Sequence, residues 1–150
     1  MNVRLRCSFD FVAGTWFEQQ LMMCNYTIKL DLLTQTMEPE DQNTAIDRVR
    51  WFFDNRLQNV IFVHQAETER AEAFYDLGLD VCTLPEEPVD QIIGMMLYYK
   101  LNAIMEGNMV VTALDISSAL GDSVWYQHDE DDASGPFVKD GWWKNPGLQH

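Results

Sequence analysis

The sequence is short of basic residues and of histidine, and both shortages restrict its chemistry. Ten lysines and arginines stand against 24 aspartates and glutamates, which gives a formal net charge of −14. Such a surface repels phosphate backbones and anionic lipid, so we predict no nucleic-acid partner and no membrane partner. The candidates for a segregated basic patch are five arginines that we interpret as solvated counter-charges: Arg4, Arg6, Arg48, Arg50 and Arg56.

Metal-ligand spacing and long apolar runs are missing as well. His64, His128 and His150 show neither i, i+2 nor i, i+4 spacing, which disfavours a histidine-based zinc site, and we predict no metal and no cofactor. No segment reaches the ~18–20 consecutive apolar residues of a membrane span, and the first residues lack the apolar core of a signal peptide. The odd number of cysteines favours reduced thiols. We therefore expect a cytoplasmic protein.

What the sequence does contain is enough apolar material for one core. The chain has 150 residues, of which 47% are hydrophobic, and this length fits one domain better than two. The composition changes after Gln127, where an acidic run is followed by an aromatic stretch. We predict a single α+β domain over residues 1–127 and a C-terminal tail without regular structure over 128–150.

Two long strands open the domain. Apolar and polar residues alternate from Val3 to Phe11 and again from Met22 to Leu32, and this period of two is typical of half-buried strands. An antiparallel hairpin with its turn at residues 15–16 would place Cys7 opposite Cys24. We expect two small packed thiols there and not a disulfide, because the compartment is reducing.

Two main helices and two further strands follow. Residues 38–41 place a proline and acids in a first helical turn, and residues 88–107 form a helix that is apolar on nearly every side. A short strand at 59–63, a short charged helix at 67–77 with Ala73, Phe74 and Leu77 inward, and a strand at 79–83 lie between them. A strand at 109–116 and one at 124–126 complete the order. The prediction is an antiparallel sheet of about four strands with two main helices on one face, in the order β-β-α-α-β-β.

This order resembles the tunnelling fold of 6-pyruvoyl-tetrahydropterin synthase, 6-carboxytetrahydropterin synthase and GTP cyclohydrolase. In the pterin synthases a Pro-Thr-x-Glu motif opens the last helix, and Glu87-Pro88-Val89-Asp90-Gln91-Ile92 has a similar position and shape. Residues 110–126 resemble the closing hairpin. The chain also looks like uncharacterised proteins of marine bacteria and phages. The likeness covers residues 2–127 and implies a ligand pocket between subunits that accepts a flat purine- or pterin-like ring.

Several family residues are missing. The resemblance implies three zinc-binding histidines on the first two strands, but no histidine lies between Met1 and Leu33. It implies an Asp-His pair near residues 57–59, where neither residue type occurs, and a ring-anchoring glutamate near Ser117 or Ser118, where Asp115 is the only nearby carboxylate. The candidate ligand-binding residues are therefore Glu87, Asp90, Asp115 and Ser117.

Two further residues could carry chemistry. Cys82 precedes a helix N-terminus, where the helix dipole would lower a thiol pKa, and one zinc-free member of the fold uses a cysteine nucleophile. Glu86, Glu87 or Asp90 could assist it; the alternative is a buried structural cysteine. His64 is either a general base or a surface residue at a strand end.

Assembly and activity complete the expectations. An edge such as Val3–Phe11 needs cover, and tunnelling-fold proteins cover edges by joining subunits into a ring, so we predict a homo-oligomer. Trp142-Trp143 either folds back on its own domain or docks on a neighbouring subunit. Two functions stay open: a non-enzymatic or degenerate member that binds a purine- or pterin-like ligand, and a zinc-independent enzyme with Cys82 as nucleophile.

Overall fold

The computed structural model describes residues 3–119, 124–127 and 148–149. The elements in chain order are β1 (Arg4–Phe17), β2 (Gln20–Thr34), α1 (Pro39–Phe52), a π-helical turn (Phe53–Leu57), β3 (Ile61–His64), α2 (Thr68–Asp76), β4 (Val81–Leu84), α3 (Asp90–Met105), β5 (Met109–Ser118), β6 (Val124–Gln127) and β7 (Leu148–Gln149). Among these described elements, no helix is long and apolar enough to cross a membrane.

The strands form one mixed sheet in the order β6-β5-β2-β1-β3-β4-β7. Five of them, β5-β2-β1-β3-β4, form its body, and the short strands β6 and β7 extend its two edges. Strands β1, β2, β5 and β6 pair antiparallel, whereas β3 pairs parallel with both β1 and β4. The α+β class is confirmed, but the prediction of about four antiparallel strands was wrong. Helix α2 supplies the crossover that the parallel neighbours β3 and β4 require.

The hairpin turn lies three residues later than predicted. Glu18 and Gln19 form it with φ angles of 51° and 63°. Cys7 consequently pairs with Leu30 and not with Cys24, so the predicted cysteine pairing was wrong. The thiols of Cys7, Cys24 and Cys82 are free.

Gly14 explains the error in the predicted turn. A Cβ atom on Gly14 would lie 2.8 Å from Cδ1 of Ile61 and 2.8 Å from Sδ of Met23. The glycine therefore allows two neighbouring side chains to approach a continuous strand, which is a common role of glycine inside a sheet. Its backbone N–H donates to the carbonyl of Val60 at 2.8 Å, which joins β1 to the segment that opens β3.

The two longer helices share one face of the sheet and the short helix lies on the other. Alternate side chains of a strand point to opposite faces. In β3, Phe62 belongs to the large core under α1 and α3, whereas Ile61 and Val63 pack with Ala71 and Phe74 of α2. Of the three residues predicted to point inward from α2, Phe74 is buried, but Ala73 and Leu77 are exposed. Helix α2 therefore covers part of the face opposite α1 and α3.

Helix α3 is the central cover of the large core. Nine of its residues are buried, as the near-continuous apolar sequence predicts: Ile93, Gly94, Met95, Met96, Leu97, Tyr98, Lys100, Leu101 and Met105. A Cβ atom at Gly94 would lie 3.1 Å from Cγ2 of Ile116, so the glycine brings α3 close to β5. The helix ends at Glu106 and Gly107, which have φ angles of 50° and 82°.

The predicted C-terminal tail is described in two residues. Leu148–Gln149 pairs antiparallel with β4, so this part of the tail has regular structure. The acidic run at 128–132 and Trp142-Trp143 lie outside the described residues.

Candidate functional site

A band of polar side chains crosses the face of the sheet opposite α1 and α3. Even-numbered residues of β1, odd-numbered residues of β2 and the β5 residues Ala113, Asp115 and Ser117 point to this side, because side chains alternate along each strand. The strand register sets them in three rows, which are Arg6, Asp31 and Ala113; Ser8, Lys29 and Asp115; and Asp10, Thr27 and Ser117. We call this surface the polar face.

Cross-strand contacts orient the polar face. Nε of Arg6 donates to Oδ1 of Asp31 at 3.0 Å, and the hydroxyl of Thr27 donates to Oδ1 of Asp10 at 2.8 Å. The Arg6 side chain is 87% exposed, so its ion pair contributes little to stability. These contacts position acceptor and donor groups on a rigid sheet.

Two cavities open beside these rows. A cavity of 340 Å³ is lined by Arg6, Cys7, Ser8, Lys29, Leu30, Asp31, Ala113 and Asp115. A second cavity of 510 Å³ is lined by Asp10, Phe11, Val12, Asn25, Tyr26, Thr27 and Gln58. Both volumes fall within the roughly 300–1,000 Å³ typical of small-molecule sites. We call the larger one the edge cavity, because Val12 lies where β1 meets the loop before β3.

The π-helical turn delivers Gln58 to the edge cavity. The ring of Phe53 stacks on Phe9 with centroids 4.6 Å apart, which holds the turn against β1. Oε1 of Gln58 then accepts the backbone N–H of Val12 at 3.2 Å, and the Asn59 N–H donates to the Val12 carbonyl at 2.6 Å. Gln58 therefore stands in the stretch where the family resemblance implies an acid–base pair.

The four predicted ligand-binding residues do not lie together. Asp115 and Ser117 are on the polar face, in neighbouring rows, and Asp115 lines the smaller cavity. Glu87 is exposed in the loop before α3. Asp90 is on the opposite side of the sheet, half-buried at the start of α3.

The surroundings of Asp90 indicate a structural role. Its Oδ2 accepts the hydroxyl of Ser118 at 2.8 Å, which ties the start of α3 to the end of β5. Tyr26 pairs with Ser118 in the sheet, and its pKa is raised first by burial and second by the charge of Asp90. The tyrosine therefore keeps its proton at neutral pH.

Cys82 lies fully inside the core. Its side chain is 0% exposed, and burial raises the pKa of the thiol to about 12 although Lys100 acts in the opposite direction. A protonated thiol without access to solvent is a poor nucleophile. The geometry favours the alternative of a buried structural cysteine.

Lys100 was missed by the sequence analysis. It is 8% exposed, and burial lowers the pKa of its ammonium group. The sequence did contain a signal for its burial. Lys100 follows Met96 by four residues and Leu97 by three, so it lies on the apolar face of α3. Asp10, Asn25 and Gln58 were missed because nothing local in the sequence specifies the register that gathers them.

His64 lies at the end of β3, away from the rows of the polar face. Nδ1 of His64 accepts the backbone N–H of Ala66 at 3.1 Å at the end of β3. The side chain is half-buried. Within the described residues no three His, Cys, Asp or Glu side chains are grouped so that they could hold a metal ion.

The elements define an α+β protein whose outer strands and main helices follow the β-β-α-α-β-β order, with β3-α2-β4 between the helices. The chain shares its fold with two solved structures. It superimposes on an uncharacterised protein from Wolinella succinogenes with a TM-score of 0.63 and 10% identity, over 86% of this chain and 99% of that one. It also superimposes on the 6-pyruvoyl tetrahydropterin synthase of Caenorhabditis elegans with a TM-score of 0.54 and 12% identity, over 86% and 97% of the two chains. No protein-family profile and no curated protein matches the sequence.

Proposed function

We propose that the protein binds a flat purine- or pterin-like ring in the edge cavity, as a non-enzymatic homo-oligomer joined through its sheet edges. The observation that carries the proposal is the chemistry of that cavity. Asp10, Asn25 and Gln58 place one carboxylate and two amides around a space of 510 Å³. The proposal places the protein in the cytoplasm, where free thiols stay reduced.

A carboxylate and amides suit the edge of such a ring. Purines and pterins with an exocyclic amine present adjacent N–H donors, and an ionised carboxylate accepts two hydrogen bonds in parallel. Asp10 has one oxygen held by Thr27, which fixes the carboxylate plane. The amides of Asn25 and Gln58 can donate and accept, so they fit the ring carbonyl and nitrogen atoms.

Assembly is supported by the long open edge of β1. Strand β3 pairs with β1 at Gly14 and Thr15, and over Arg4–Phe11 the described residues supply β2 as the single neighbour. An open edge of this length is a template for another strand. The edge cavity lies at the end of this open edge, so a subunit docked there would border the ligand.

A thermal-shift screen tests the proposal with guanine, GTP, pterin and deazapurines. A ligand that binds the native state raises the melting temperature in proportion to the logarithm of its concentration over Kd. We expect Asp10→Asn to weaken binding by about 10-fold to 100-fold, because a hydrogen bond to a charged group contributes roughly 1.5–3 kcal/mol. Asp47→Asn, an exposed position on α1, is the matched control and leaves binding unchanged.

Two results would contradict the proposal. Either no compound of these classes raises the melting temperature at millimolar concentration, or Asp47→Asn weakens binding as much as Asp10→Asn. The alternative enzyme with Cys82 as nucleophile gains no support from the burial of that thiol.

A further inference from the structure

We infer that two copies of the chain pair antiparallel along the open edge of β1, with Cys7 on the two-fold axis, so that the partner's Arg4 completes the edge cavity. The inference rests on the proposed function, because it names the partner and the residue that this partner adds to the same site.

The backbone of β1 has a row of groups that face the open edge. Val12 uses its N–H and carbonyl for Gln58 and Asn59, on the side away from β2. Alternate residues of a strand turn their backbone groups to alternate sides. The residues that face the open edge with Val12 are Arg4, Arg6, Ser8 and Asp10, and each carries one donor and one acceptor. The carbonyl of Val3 confirms this parity, since it accepts the N–H of Thr34 in β2.

The charges along this edge select one register. From the start of the strand they read positive, positive, neutral and negative, at Arg4, Arg6, Ser8 and Asp10. In an antiparallel pair centred on Cys7, Arg4 lies opposite the partner's Asp10, and Arg6 lies opposite the partner's Ser8. Opposite charges directly across two strands stabilise the pair, whereas like charges destabilise it.

Neighbouring registers fail for physical reasons. A pair centred on Arg6 sets this arginine against the partner's Arg6. A pair centred on Ser8 brings Arg4 against the partner's Val12, whose backbone groups already bond to the loop before β3. A pair centred on Ser8 would set Arg6 opposite the partner's Asp10 but would leave the backbone groups of Arg4 unpaired. The pair centred on Cys7 uses all four open residues and sets Arg4 opposite the partner's Asp10.

The apolar side of the edge fits the same register. Leu5, Cys7 and Phe9 are half-buried at the margin of the large core. In this register Leu5 meets the partner's Phe9, so both side chains gain apolar cover. Cys7 meets the partner's Cys7 as a non-hydrogen-bonded pair, for which the Cα atoms lie about 4.5 Å apart, within the range that a disulfide can span.

The pairing changes the chemistry of the edge cavity. The lining of one chain supplies one carboxylate and two side-chain amides, from Asp10, Asn25 and Gln58. The partner's Arg4 would add a guanidinium beside Asp10, with donors and a positive charge. The complete site then favours a ring that carries both N–H donors and a carbonyl or anionic group.

Oxidative cross-linking tests the axis. We expect mild copper-phenanthroline treatment of the whole chain to give a covalent dimer, with the link mapped to Cys7 by mass spectrometry. Cys7→Ser abolishes the covalent dimer. Cys24 and Cys82 are buried and do not form the link in its place. An uncross-linked wild type with its Cys7 freely alkylated would overturn the inference.

A charge swap tests the register independently. By sedimentation, Arg4→Glu raises the dimer dissociation constant about tenfold or more, since two favourable cross-strand pairs become repulsive. Arg4→Glu combined with Asp10→Arg restores the dimer, and Arg48→Glu on α1 leaves it unchanged. Circular dichroism of each variant shows whether it is folded, which is expected because Arg4 and Asp10 are exposed.

The outcomes separate this inference from the proposed function. A monomeric wild type at 100 µM, a concentration at which ~1 µM dimers are mostly assembled, overturns both the inference and the proposed assembly. A larger oligomer overturns the inference alone if it forms no Cys7 link and if the charge swap does not restore the assembly that Arg4→Glu weakens. Ligand binding by the edge cavity is measured separately, so its failure would refute the proposed function and leave the dimer in place.

Discussion

Two ionisable side chains inside the core, Cys82 and Lys100, are shifted towards their neutral forms. Burial is the first cause in both cases, and it raises the pKa of the thiol while it lowers that of the ammonium group. Moving a charged group out of water costs several kcal/mol, so burial favours the neutral form of each side chain. The two residues act on each other, because an ionised partner would favour the charged form of the other.

Removing the thiol should make the fold more tolerant of alkaline pH. The Cys82 thiol ordinarily titrates at 9.0 and is raised to about 12, so the unfolded chain releases this proton first. Its contribution to stability is complete below pH 9 and declines by up to about 1.4 kcal/mol per unit above it. We expect the unfolding free energy of wild type, measured in urea from pH 7.5 to 10.5, to fall more steeply than that of Cys82→Ala.

Lys100 provides the internal check on this experiment. Its pKa is lowered, so the unfolded chain binds this proton more readily and the lysine adds stability as pH rises towards 10.5. That effect opposes the thiol and is present in both proteins, so the difference between the two curves reports Cys82 together with its coupling to Lys100. Parallel curves would show that the thiol titrates normally.

At the level of elements, the turn between β1 and β2 is made by residues that do not favour it. Glu18 and Gln19 have φ angles of 51° and 63°, and two consecutive positive values are characteristic of a type I′ turn. Asn-Gly is the preferred pair in that turn, whereas other residues lose roughly 1 kcal/mol each in this conformation. No local sequence signal therefore indicated this turn, and the prediction placed it next to Gly14 instead.

Glu18→Asn combined with Gln19→Gly should stabilise the hairpin. We expect the unfolding free energy to rise by about 1 kcal/mol, because the new residues adopt positive φ with less strain. Urea titration followed by circular dichroism measures the change. Gly78→Ala is the opposite control, since Gly78 has a φ of 83° after α2 and alanine should lower stability by about 1 kcal/mol. A hairpin variant no more stable than wild type would contradict the assigned turn.

Local patterns predict elements well and their partners poorly. The acids and proline before α1 and the apolar run of α3 specify helices, and both helices form where expected. The parallel pairing of β3 was missed because it depends on contacts between distant segments, such as Gly14 with Val60. The same reason applies to the site: Asp115 could be predicted as a ligand residue from the sequence, but the register that joins Asp10 to Thr27 is a tertiary feature.

For the whole molecule, the two faces of the sheet differ in chemical character, and the proposed recognition uses the polar one. One face carries α1, α3 and most of the apolar core, and it tolerates little chemical change. The other face carries the polar rows over β1, β2 and β5, the smaller cavity beside them and, at the β1 edge, the edge cavity between β1, β2 and Gln58. Recognition residues on a rigid sheet keep their positions without a ligand, which reduces the entropy lost on binding.

The net charge of −14 should make the fold more stable in salt. Like charges spread over the surface repel one another, and raising ionic strength from 0.01 M to 1 M shortens the screening length from about 30 Å to about 3 Å. The ion pairs Arg6–Asp31 and Arg48–Glu106 also weaken in salt, but both are exposed and contribute at most about 1 kcal/mol each. Repulsion among many acids should outweigh this loss. Urea titrations in rising NaCl, at one protein concentration, should give higher midpoints, and KCl should give the same result. A midpoint that falls with salt would mean that local ion pairs, and not the excess of acids, dominate the electrostatics of this protein.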